Sequence, residues 1–345
     1  MKILFVCYPS LGLNEGGLQI QIRETKRHLE QLDVTVDLYN PWQCDLSGYD
    51  AIHVFSLAAA CRAFVEAAVI QGIPVVISPV FNAYYRNWRL LRAQVRLGEL
   101  LPGYASYLRE AQRMLALADR IIALSHEEAD MLQRVFDFQQ EKLAIIANGI
   151  NGAAGSVDAQ PFLQEFNLKN FVLCVGKIER RKNQLSLIRA CKALNLPLVL
   201  IGPPNSTEPD YYQQCRQEAD DSIKFLGLLK NDDPLLWSAY AAADIFALVS
   251  RSEVMPLSVL EAAASDCKIL VTKKSAIKNI LPEGEGVRFV SPDEEEIKKM
   301  LDLIRSDRCQ PDLKQMVQAK YTWQAVAADI YRAYQALAPA RNSAQ

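Results

Sequence analysis

Residues 251–270, RSEVMPLSVLEAAASDCKIL, carry the strongest indication of fold and site in this sequence. The apolar run IFAL at residues 245–248 predicts a buried strand, and Pro256 opens an Ala-rich stretch that predicts a helix. Glu253 therefore lies in the loop after a strand, and Glu261 lies about one and a half turns into the helix. Ligands of open parallel sheets bind beyond the carboxyl ends of the strands, so a ligand is expected at this loop.

The residue types in this loop suit a sugar nucleotide. Each of two carboxylates can accept hydrogen bonds from a pair of sugar hydroxyls. The backbone N–H groups of Leu257 and Ser258, at the predicted helix start, are suited to hold a phosphate. A simpler interpretation stays open on composition alone, in which one glutamate is a helix-start charge and the other a solvated residue.

The same alternation of apolar runs and amphipathic stretches extends along the whole chain. Runs of Val, Ile and Leu without polar alternation predict strands buried on both faces, and helices between them predict the crossovers of a parallel sheet. We predict strands at residues 2–7, 34–38, 51–55, 74–77, 120–124, 143–146, 171–175, 197–201, 223–225, 245–248 and 269–272. We predict helices at residues 18–31, 58–71, 105–118, 127–136, 184–194, 210–219, 234–241, 257–265 and 294–306. The polar stretch 151–160, NGAAGSVDAQ, predicts a linker between two α/β domains.

Length and composition agree with two cytoplasmic domains. A chain of 345 residues is long for one domain, and half of its residues are hydrophobic, which suffices for two cores. The net charge of −2 excludes a global field that would attract nucleic acid. The eight cysteines form no CxxC pair, which favours a reducing compartment, and we expect neither a leader peptide nor a membrane span.

A basic cluster follows the first predicted strand of the second half, in VGKIERRKNQ at residues 175–184. Its cations are those that a diphosphate leaving group needs, because negative charge grows there as a glycosidic bond breaks. They are Lys177, Arg180, Arg181 and Lys182. A solvated basic turn capped by Asn183 is the simpler alternative.

Gly16 and Gly17 follow the first strand and a long loop, and they open the first predicted helix. Glycines at a helix N-terminus allow a ligand to approach the backbone closely, although a double glycine is also common in a plain turn.

Together these motifs resemble family 4 of the retaining glycosyltransferases. The resemblance rests on Glu253 and Glu261 with seven residues between them, on the basic loop at residues 177–182, and on the double glycine. Supporting matches are DRIIALSHE at 119–127, IANGI at 146–150, IGPP at 201–204, FLG at 225–227 and YTW at 321–323. The similarity thus covers nearly the whole chain.

The resemblance implies a GT-B fold, in which two Rossmann-like, doubly wound parallel-sheet domains face an interdomain cleft. The N-terminal acceptor domain would span residues 1–155 and be completed by a C-terminal helix at 323–338, and the nucleotide-sugar domain would span 165–320. In the family, the residue matching Glu253 contacts the donor sugar and that matching Glu261 binds the ribose hydroxyls. Lys177 and Lys182 match the residues that grip the donor pyrophosphate, with Arg180 or Arg181 compensating for the arginine usual at 177. Gly16 and Gly17 match the loop that faces the donor phosphate and acceptor.

Several positions depart from the family pattern. Met255 and Pro256 replace Phe-Gly, Asp266 and Lys268 replace Gly and Pro, and KSAIK at 274–278 replaces Gly-Gly-x-Pro-Glu. The segment SPVF at residues 78–81 lacks the histidine that usually follows this strand. Of the three histidines, His53 at the end of a central strand is the one that could reach a cleft, although a buried, satisfied side chain is expected there.

A basic stripe raises the question of membrane contact. Arg86, Arg89, Arg92 and Arg96 recur at helical spacing among aromatic and leucine residues. Such a stripe could rest on an anionic membrane and present a lipid-linked acceptor, whereas a solvated face over a core stripe is the commoner outcome.

The sequence therefore predicts a retaining hexosyltransferase that moves a sugar from a nucleotide-diphospho-sugar to a glycan, lipid-linked or small-molecule acceptor. No cofactor or metal is expected, because the chain has no DxD motif to hold a metal ion. A non-catalytic GT-B-like binding or scaffold protein is the main alternative. A sugar-nucleotide epimerase of similar fold would need more titratable groups in the cleft.

Overall fold

The chain divides into two compact α/β units. The computed structural model describes residues 1–13, 16–40, 42, 45–82, 87–100, 106–151, 157–307 and 312–337. Unit 1 contains the described residues of Met1–Gly149 and Trp323–Gln345, and unit 2 contains those of Ile150–Thr322.

Strands and helices alternate along both units. The strands are β1 (Lys2–Val6), β2 (Thr35–Leu38), β3 (Ala51–Phe55), β4 (Val75–Ser78), β5 (Arg120–Ala123), β6 (Leu143–Ile145), β7 (Val172–Val175), β8 (Leu198–Ile201), β9 (Ile223–Gly227), β10 (Ile245–Leu248), β11 (Lys268–Thr272) and β12 (Val287–Val290). The helices are α1 (Gly17–Glu30), α2 (Arg62–Ile70), α3 (Trp88–Leu100), α4 (Tyr107–Leu117), α5 (His126–Val135), α6 (Gln160–Phe166), α7 (Gln184–Ala193), α8 (Pro209–Glu218), α9 (Pro234–Ala242), α10 (Leu257–Ala263), α11 (Glu294–Ser306), α12 (Asp312–Lys320) and α13 (Trp323–Gln335).

Unit 1 is built on a parallel sheet whose strands follow the order β2-β1-β3-β4-β5-β6. The central strands β3 and β4 are buried over their full length, as expected of strands covered by helices on both faces. The C-terminal helix α13 belongs to this unit and packs against α1. Because the strand order reverses between β1 and β3, the segments that follow these two strands mark a switch point, where α/β sheets bind ligands.

Unit 2 is built on a second parallel sheet, of order β12-β11-β10-β7-β8-β9. Its central strands β8, β10 and β11 are buried throughout. The order reverses between β7 and β10, so the loops after these two strands lie at the switch point of this unit. The two doubly wound sheets confirm the predicted pair of Rossmann-like domains.

The sequence pattern predicts neither β12 nor the helices α6 and α12, and it gives α3 only as a helical spacing of arginines. In β12 the apolar run is interrupted by Arg288, which pairs with Asp307 at 2.8 Å from Nη2 to Oδ2. Helix α6 is short, has Pro161 in its first turn and is followed by Asn167 in the left-handed conformation, so its sequence pattern resembles a loop.

Candidate functional site

The switch point of unit 2 brings together two of the predicted motifs. The basic loop at residues 176–183 follows β7, and the loop at 249–256 follows its neighbour β10. A backbone hydrogen bond links the two loops, because Arg251 N donates to the Arg181 carbonyl at 2.7 Å. The motifs therefore form one site at the carboxyl ends of the central strands.

A close approach between two glycines shapes the base of the basic loop. Gly202 follows β8 with φ +147, and a Cβ there would lie 2.2 Å from the carbonyl oxygen of Gly176. The backbone pairing between β7 and β8 continues past the ends of both strands. Gly176 N donates to the Ile201 carbonyl at 2.8 Å, and Ile178 N donates to the Pro203 carbonyl at 2.9 Å. A side chain at 202 would push the basic loop away from the sheet.

Glu253 is the centre of the site. Its side chain is buried, and its Oε1 accepts from three donors, at 2.6 Å from Lys182 Nζ, 3.1 Å from Arg181 Nη1 and 2.7 Å from Ser250 Oγ. The main chain of Glu253 is also fixed, since its N–H donates to the Lys274 carbonyl at 2.9 Å. The structure thus assembles three predicted residues, Glu253, Arg181 and Lys182, in one cluster.

The charges in this cluster control its ionisation. Burial alone would raise the pKa of Glu253, but Lys182 and Arg181 outweigh burial and hold that pKa below its usual value. Burial would lower the pKa of Arg181, but Glu253 and Glu179 outweigh it and raise that pKa. At neutral pH the cluster therefore contains a carboxylate held between two cations.

The other two cations of the basic loop, Arg180 and Lys177, have different surroundings. Arg180 is exposed and turns to α8, where it pairs with Asp210 and lies over the Tyr211 ring at 5.4 Å. Lys177 is half-buried at the end of β7, and its carbonyl accepts from Gln184 Nε2 at 2.9 Å. Of the two arginines expected to compensate for the arginine usual at position 177, Arg181 therefore lies in the cluster with Glu253. That compensation and the role of Lys177 stay predictions.

The alternative of a solvated basic turn capped by Asn183 does not describe this loop. Asn183 is the N-cap residue of α7, but its side chain makes no capping hydrogen bond to the helix backbone. Its Oδ1 accepts from Ser186 Oγ at 3.0 Å, and its Nδ2 donates to the Val249 and Pro292 carbonyls at 3.3 and 3.1 Å. Asn183 instead ties the basic loop to the segment after β10.

Glu261 has a separate set of partners. It is buried in α10, where Oε1 accepts from Asn231 Nδ2 at 2.8 Å and Oε2 accepts from Tyr240 Oη at 2.8 Å. Burial raises the pKa of Glu261, against these two hydrogen bonds, which lower it. Asn231 and Tyr240 belong to no sequence motif, so neither is predicted as a site residue.

Helix α10 begins at Leu257, as predicted, and ends at Ala263, two residues before the predicted end. Pro256 is the N-cap residue; the Leu257 side chain is buried, whereas Ser258 is partly exposed. At the other end, Asp266 has φ +64, a conformation that favours the glycine of the family pattern. Lys268, in the place of the family proline, is buried and pairs with Asp244 at 3.1 Å.

In unit 1, Gly16 and Gly17 lie at the start of α1, after β1 at the switch point of that sheet. Gly16 has extended backbone with φ −174, and a Cβ there would meet no described atom within 4 Å. Neither backbone conformation nor packing within the described residues requires this glycine. Its role in approach to a ligand stays a prediction.

The segment SPVF is held by two buried polar groups. His53, on β3, bonds Ser78 Oγ through Nε2 at 2.8 Å and Tyr334 Oη through Nδ1 at 2.6 Å. Glu128 on α5 accepts from Phe81 N at 2.5 Å and from Leu124 N at 2.7 Å. Val80 between them has φ +48, a strained conformation for a β-branched residue. His53 is thus a satisfied core histidine, as the simpler interpretation predicted.

Glu128 was missed as a candidate, although the spacing Ser125-x-x-Glu128 is that of a capping box. The Ser125 hydroxyl does accept from Glu128 N, at 3.1 Å, but the Glu128 carboxylate reaches two other N–H groups instead of closing the box. Burial raises the pKa of Glu128 to about 7, against the hydrogen bonds from Phe81 and Leu124, which lower it.

Burial of His53 predicts acid sensitivity. Its pKa is lowered from 6.5 to about 3 by burial, so below pH 6.5 the unfolded chain binds a proton that the folded chain does not. The contribution of neutral His53 to the free energy of unfolding is therefore fully present above pH 6.5 and is lost as the pH falls below that value. The free energy of unfolding lost by pH 5 is about 2 kcal/mol.

A His53→Gln variant checks this expectation, because it removes the titration. We expect it to be less stable than the wild type at pH 7, and the difference to narrow by about 2 kcal/mol at pH 5. Urea unfolding at both pH values measures the difference, with His28 and His126 retained in both proteins. A difference that does not change with pH would contradict the expectation.

The basic stripe lies partly on α3. Arg92 is held within unit 1, where it donates to Asp137 at 2.8 Å and to the Arg134 carbonyl at 3.0 Å. Arg89 and Arg96 are exposed, and Arg86 lies outside the described residues. Membrane contact stays a prediction, which on α3 rests on Arg89 and Arg96.

Two properties of the described residues bear on membranes and metals. No helix within the described ranges is long and apolar enough to cross a bilayer. The described residues contain no group of three or more His, Cys, Asp or Glu side chains that could hold a metal ion. The expectation of metal-independent chemistry stays a prediction.

Models of two protein families match this chain. The model for glycosyl transferases group 1 matches residues 158–323. The model for glycosyltransferase family 4 matches residues 43–153.

Curated relatives match over part of their length. D-inositol 3-phosphate glycosyltransferase of Streptomyces avermitilis is 24% identical over 226 residues, covering 60% of this chain and 48% of the relative. Sulfoquinovosyl transferase SQD2 of Arabidopsis thaliana is 31% identical over 117 residues, covering 31% of this chain and 22% of the relative. This chain thus spans about half the length of the first relative and less of the second.

Solved structures match over the whole described fold. Sucrose-phosphate synthase from Thermosynechococcus elongatus has a TM-score of 0.78 at 18% identity, covering 97% of this chain and 98% of the other. HepE of Anabaena, solved in complex with UDP, has a TM-score of 0.74 at 18% identity, covering 98% of this chain and 100% of the other. At these identities the similarity shows the fold.

Proposed function

Because the chain belongs to the family 4 glycosyltransferases and has the GT-B fold, we propose that it transfers a sugar from a nucleotide-diphospho-sugar to an acceptor hydroxyl. The transfer retains configuration at the anomeric carbon and serves glycan, glycolipid or polysaccharide synthesis. The observation that carries the proposal is the cluster of Glu253, Arg181 and Lys182 at the switch point of unit 2.

The two cations suit the leaving group of this reaction. As the glycosidic bond breaks, negative charge grows on the diphosphate, and preorganised cations stabilise that charge more in the transition state than in the ground state. The Lys182 ammonium has three N–H donors and the Arg181 guanidinium five, so a bond to Glu253 uses only part of their capacity. Lys177, at the end of the same strand, adds a third cation.

The two carboxylates suit the rest of the donor. The three donors to Glu253 among the described residues all bind Oε1, which leaves Oε2 to accept from a hydroxyl of the donor sugar. Glu261 takes the ribose hydroxyls, and the N–H groups of Leu257 and Ser258 add phosphate contacts. This assignment separates the sugar end of the donor from its nucleoside end.

A non-catalytic nucleotide-sugar-binding protein is the second candidate. It is favoured by the segment SPVF, which has no histidine of its own and whose Ser78 hydroxyl is bonded to the buried His53. The two candidates share the donor site and differ in whether sugar leaves the donor.

A panel of UDP-, GDP- and ADP-sugars tests both candidates. We expect a donor at one hundred times its Kd to stabilise the chain by about 2.7 kcal/mol and to raise its melting temperature by about 5 °C or more. Glu261→Ala removes the shift, because the ribose loses its acceptor. Glu295→Ala, an exposed glutamate of the same unit, keeps it.

Sugar release and transfer are then measured with the donor that binds. Absence of a shift with every nucleotide sugar would refute the proposed donor site. Binding without release or transfer, under all acceptors offered, would establish the non-catalytic candidate instead.

A further inference from the structure

We propose that Tyr240 and Asn231 are positioning residues that fix the Glu261 carboxylate to receive both hydroxyls of a nucleotide ribose. The inference rests on the proposed function, since it takes the ligand of Glu261 to be a nucleotide. It adds two residues that no sequence motif marks.

The carboxylate is held in one plane by two donors on different oxygens. Asn231 Nδ2 lies 2.8 Å from Oε1, and Tyr240 Oη lies 2.8 Å from Oε2. One donor on each oxygen fixes the rotation of the carboxylate about the Cγ–Cδ bond. A single hydrogen bond would not fix this rotation. Its orientation is therefore set before any ligand arrives.

The remaining acceptor capacity matches a ribose. A carboxylate has about four lone-pair sites, two on each oxygen. Asn231 and Tyr240 use one site on each, which leaves one site per oxygen on the same rigid plane. A vicinal diol presents two O–H donors side by side, so it completes this set.

Helix α9 supplies both constraints. Tyr240 is fully buried on this helix. Trp237, three residues earlier, donates from Nε1 to the Asn231 carbonyl at 2.8 Å and so fixes the loop that carries Asn231. Any displacement of α9 would therefore change both contacts of Glu261 together.

A purely structural role does not explain a carboxylate here. The described partners of the Glu261 carboxylate are neutral, in contrast to the cations around Glu253. A buried carboxylate that lacks a cation loses hydration that an amide or an apolar side chain would not lose. A charged acceptor at this position is explained by a ligand that donates to it.

The experiment compares ribonucleotides with their deoxy analogues on the full chain. Calorimetric Kd values are measured for UDP, GDP and ADP and for the 2′- and 3′-deoxy form of each. We expect the wild type to prefer the ribonucleotide that it binds by about tenfold, because hydrogen bonds to a charged acceptor have about that effect on affinity. In Tyr240→Phe and in Asn231→Ala the preference falls to about threefold or less, and affinity for the deoxy form changes little.

Tyr211→Phe is the matched control, since Tyr211 is a buried tyrosine of the same unit whose hydroxyl accepts from Leu185 N at 3.0 Å. It should lower the melting temperature and keep the tenfold preference. If Tyr240→Phe does not fold, Asn231→Ala decides, because its side chain is only half-buried.

Equal weakening of ribo and deoxy forms in both variants would overturn the inference. The inference would also be overturned if the wild type bound the ribonucleotide and its deoxy forms equally well. That result would leave the proposed function unaffected. A wild type that binds none of the nucleotides would overturn the proposed function and this inference together.

Discussion

We expect a Lys182→Met variant to release sugar from its donor about 100- to 1,000-fold more slowly than the wild type, the usual effect of removing one preorganised group from a developing charge. Methionine keeps a stem similar in length to that of Lys182, whose Cε lies 3.4 Å from the position that a Cβ on Gly176 would take, and removes the ammonium group with its charge and N–H donors. Initial rates with the donor identified by the panel measure the effect, and Kd values separate it from loss of binding.

Arg180→Met is the control for this prediction. Arg180 lies in the same loop, but it turns to Asp210 on the surface, so its loss should change the rate by less than about twofold. Lys182→Met also leaves the buried Glu253 with Arg181 as its remaining cation, and rates are therefore compared below the melting temperatures of all three proteins. A rate within threefold of the wild type in Lys182→Met would show that Lys182 does not stabilise the leaving group.

The sequence predicted which residue types would form the site but not how they pair. Glu253 and Lys182 each follow a buried strand, and that placement could be read from the apolar runs. Their ion pair depends on β7 and β10 being neighbours in the sheet, and the apolar runs do not show which strands are neighbours. For the same reason, the contact of Arg181 rather than Arg180 with Glu253 became clear only from the structure.

The partners of Glu261 show a second limit. Asn231 lies in a polar loop and Tyr240 in an apolar helix, and residues of these types are common in both places. Their contact with Glu261 needs three segments to meet, which no local pattern encodes. Glu128 is a third case, because its spacing indicates a helix cap whereas its carboxylate holds the SPVF segment.

The fold itself was predicted well wherever burial produces a continuous apolar run. The all-buried strands β3, β4, β8, β10 and β11 are of this kind. Strand β12 lies at the edge of its sheet, where one neighbour is missing and a charged residue is tolerated, so its run is interrupted. The hydrophobic pattern of a segment thus indicates its burial, and helices or strands that are short or lie at a sheet edge are not predicted from it.

The largest expected effect on stability comes from Gly202→Ala. A Cβ at 202 would lie 2.2 Å from the Gly176 carbonyl oxygen and 2.6 Å from its carbonyl carbon, and both atoms belong to the backbone of the segment after β7. The residue also has φ +147, which side chains rarely adopt. Steric overlap and backbone strain each cost about 1–3 kcal/mol, so we expect a loss of about 4 kcal/mol in the free energy of unfolding.

Gly227→Ala separates these two contributions, because Gly227 has φ +71 and a Cβ there would meet no described atom within 4 Å. We expect it to lose only about 1 kcal/mol, from strain alone. Urea unfolding of the three proteins measures both losses. Equal losses would show that the approach of Gly202 to Gly176 does not limit stability. A larger loss in Gly202→Ala, together with weaker nucleotide binding, would show that this approach also holds the basic loop, and Lys182 with it, in position.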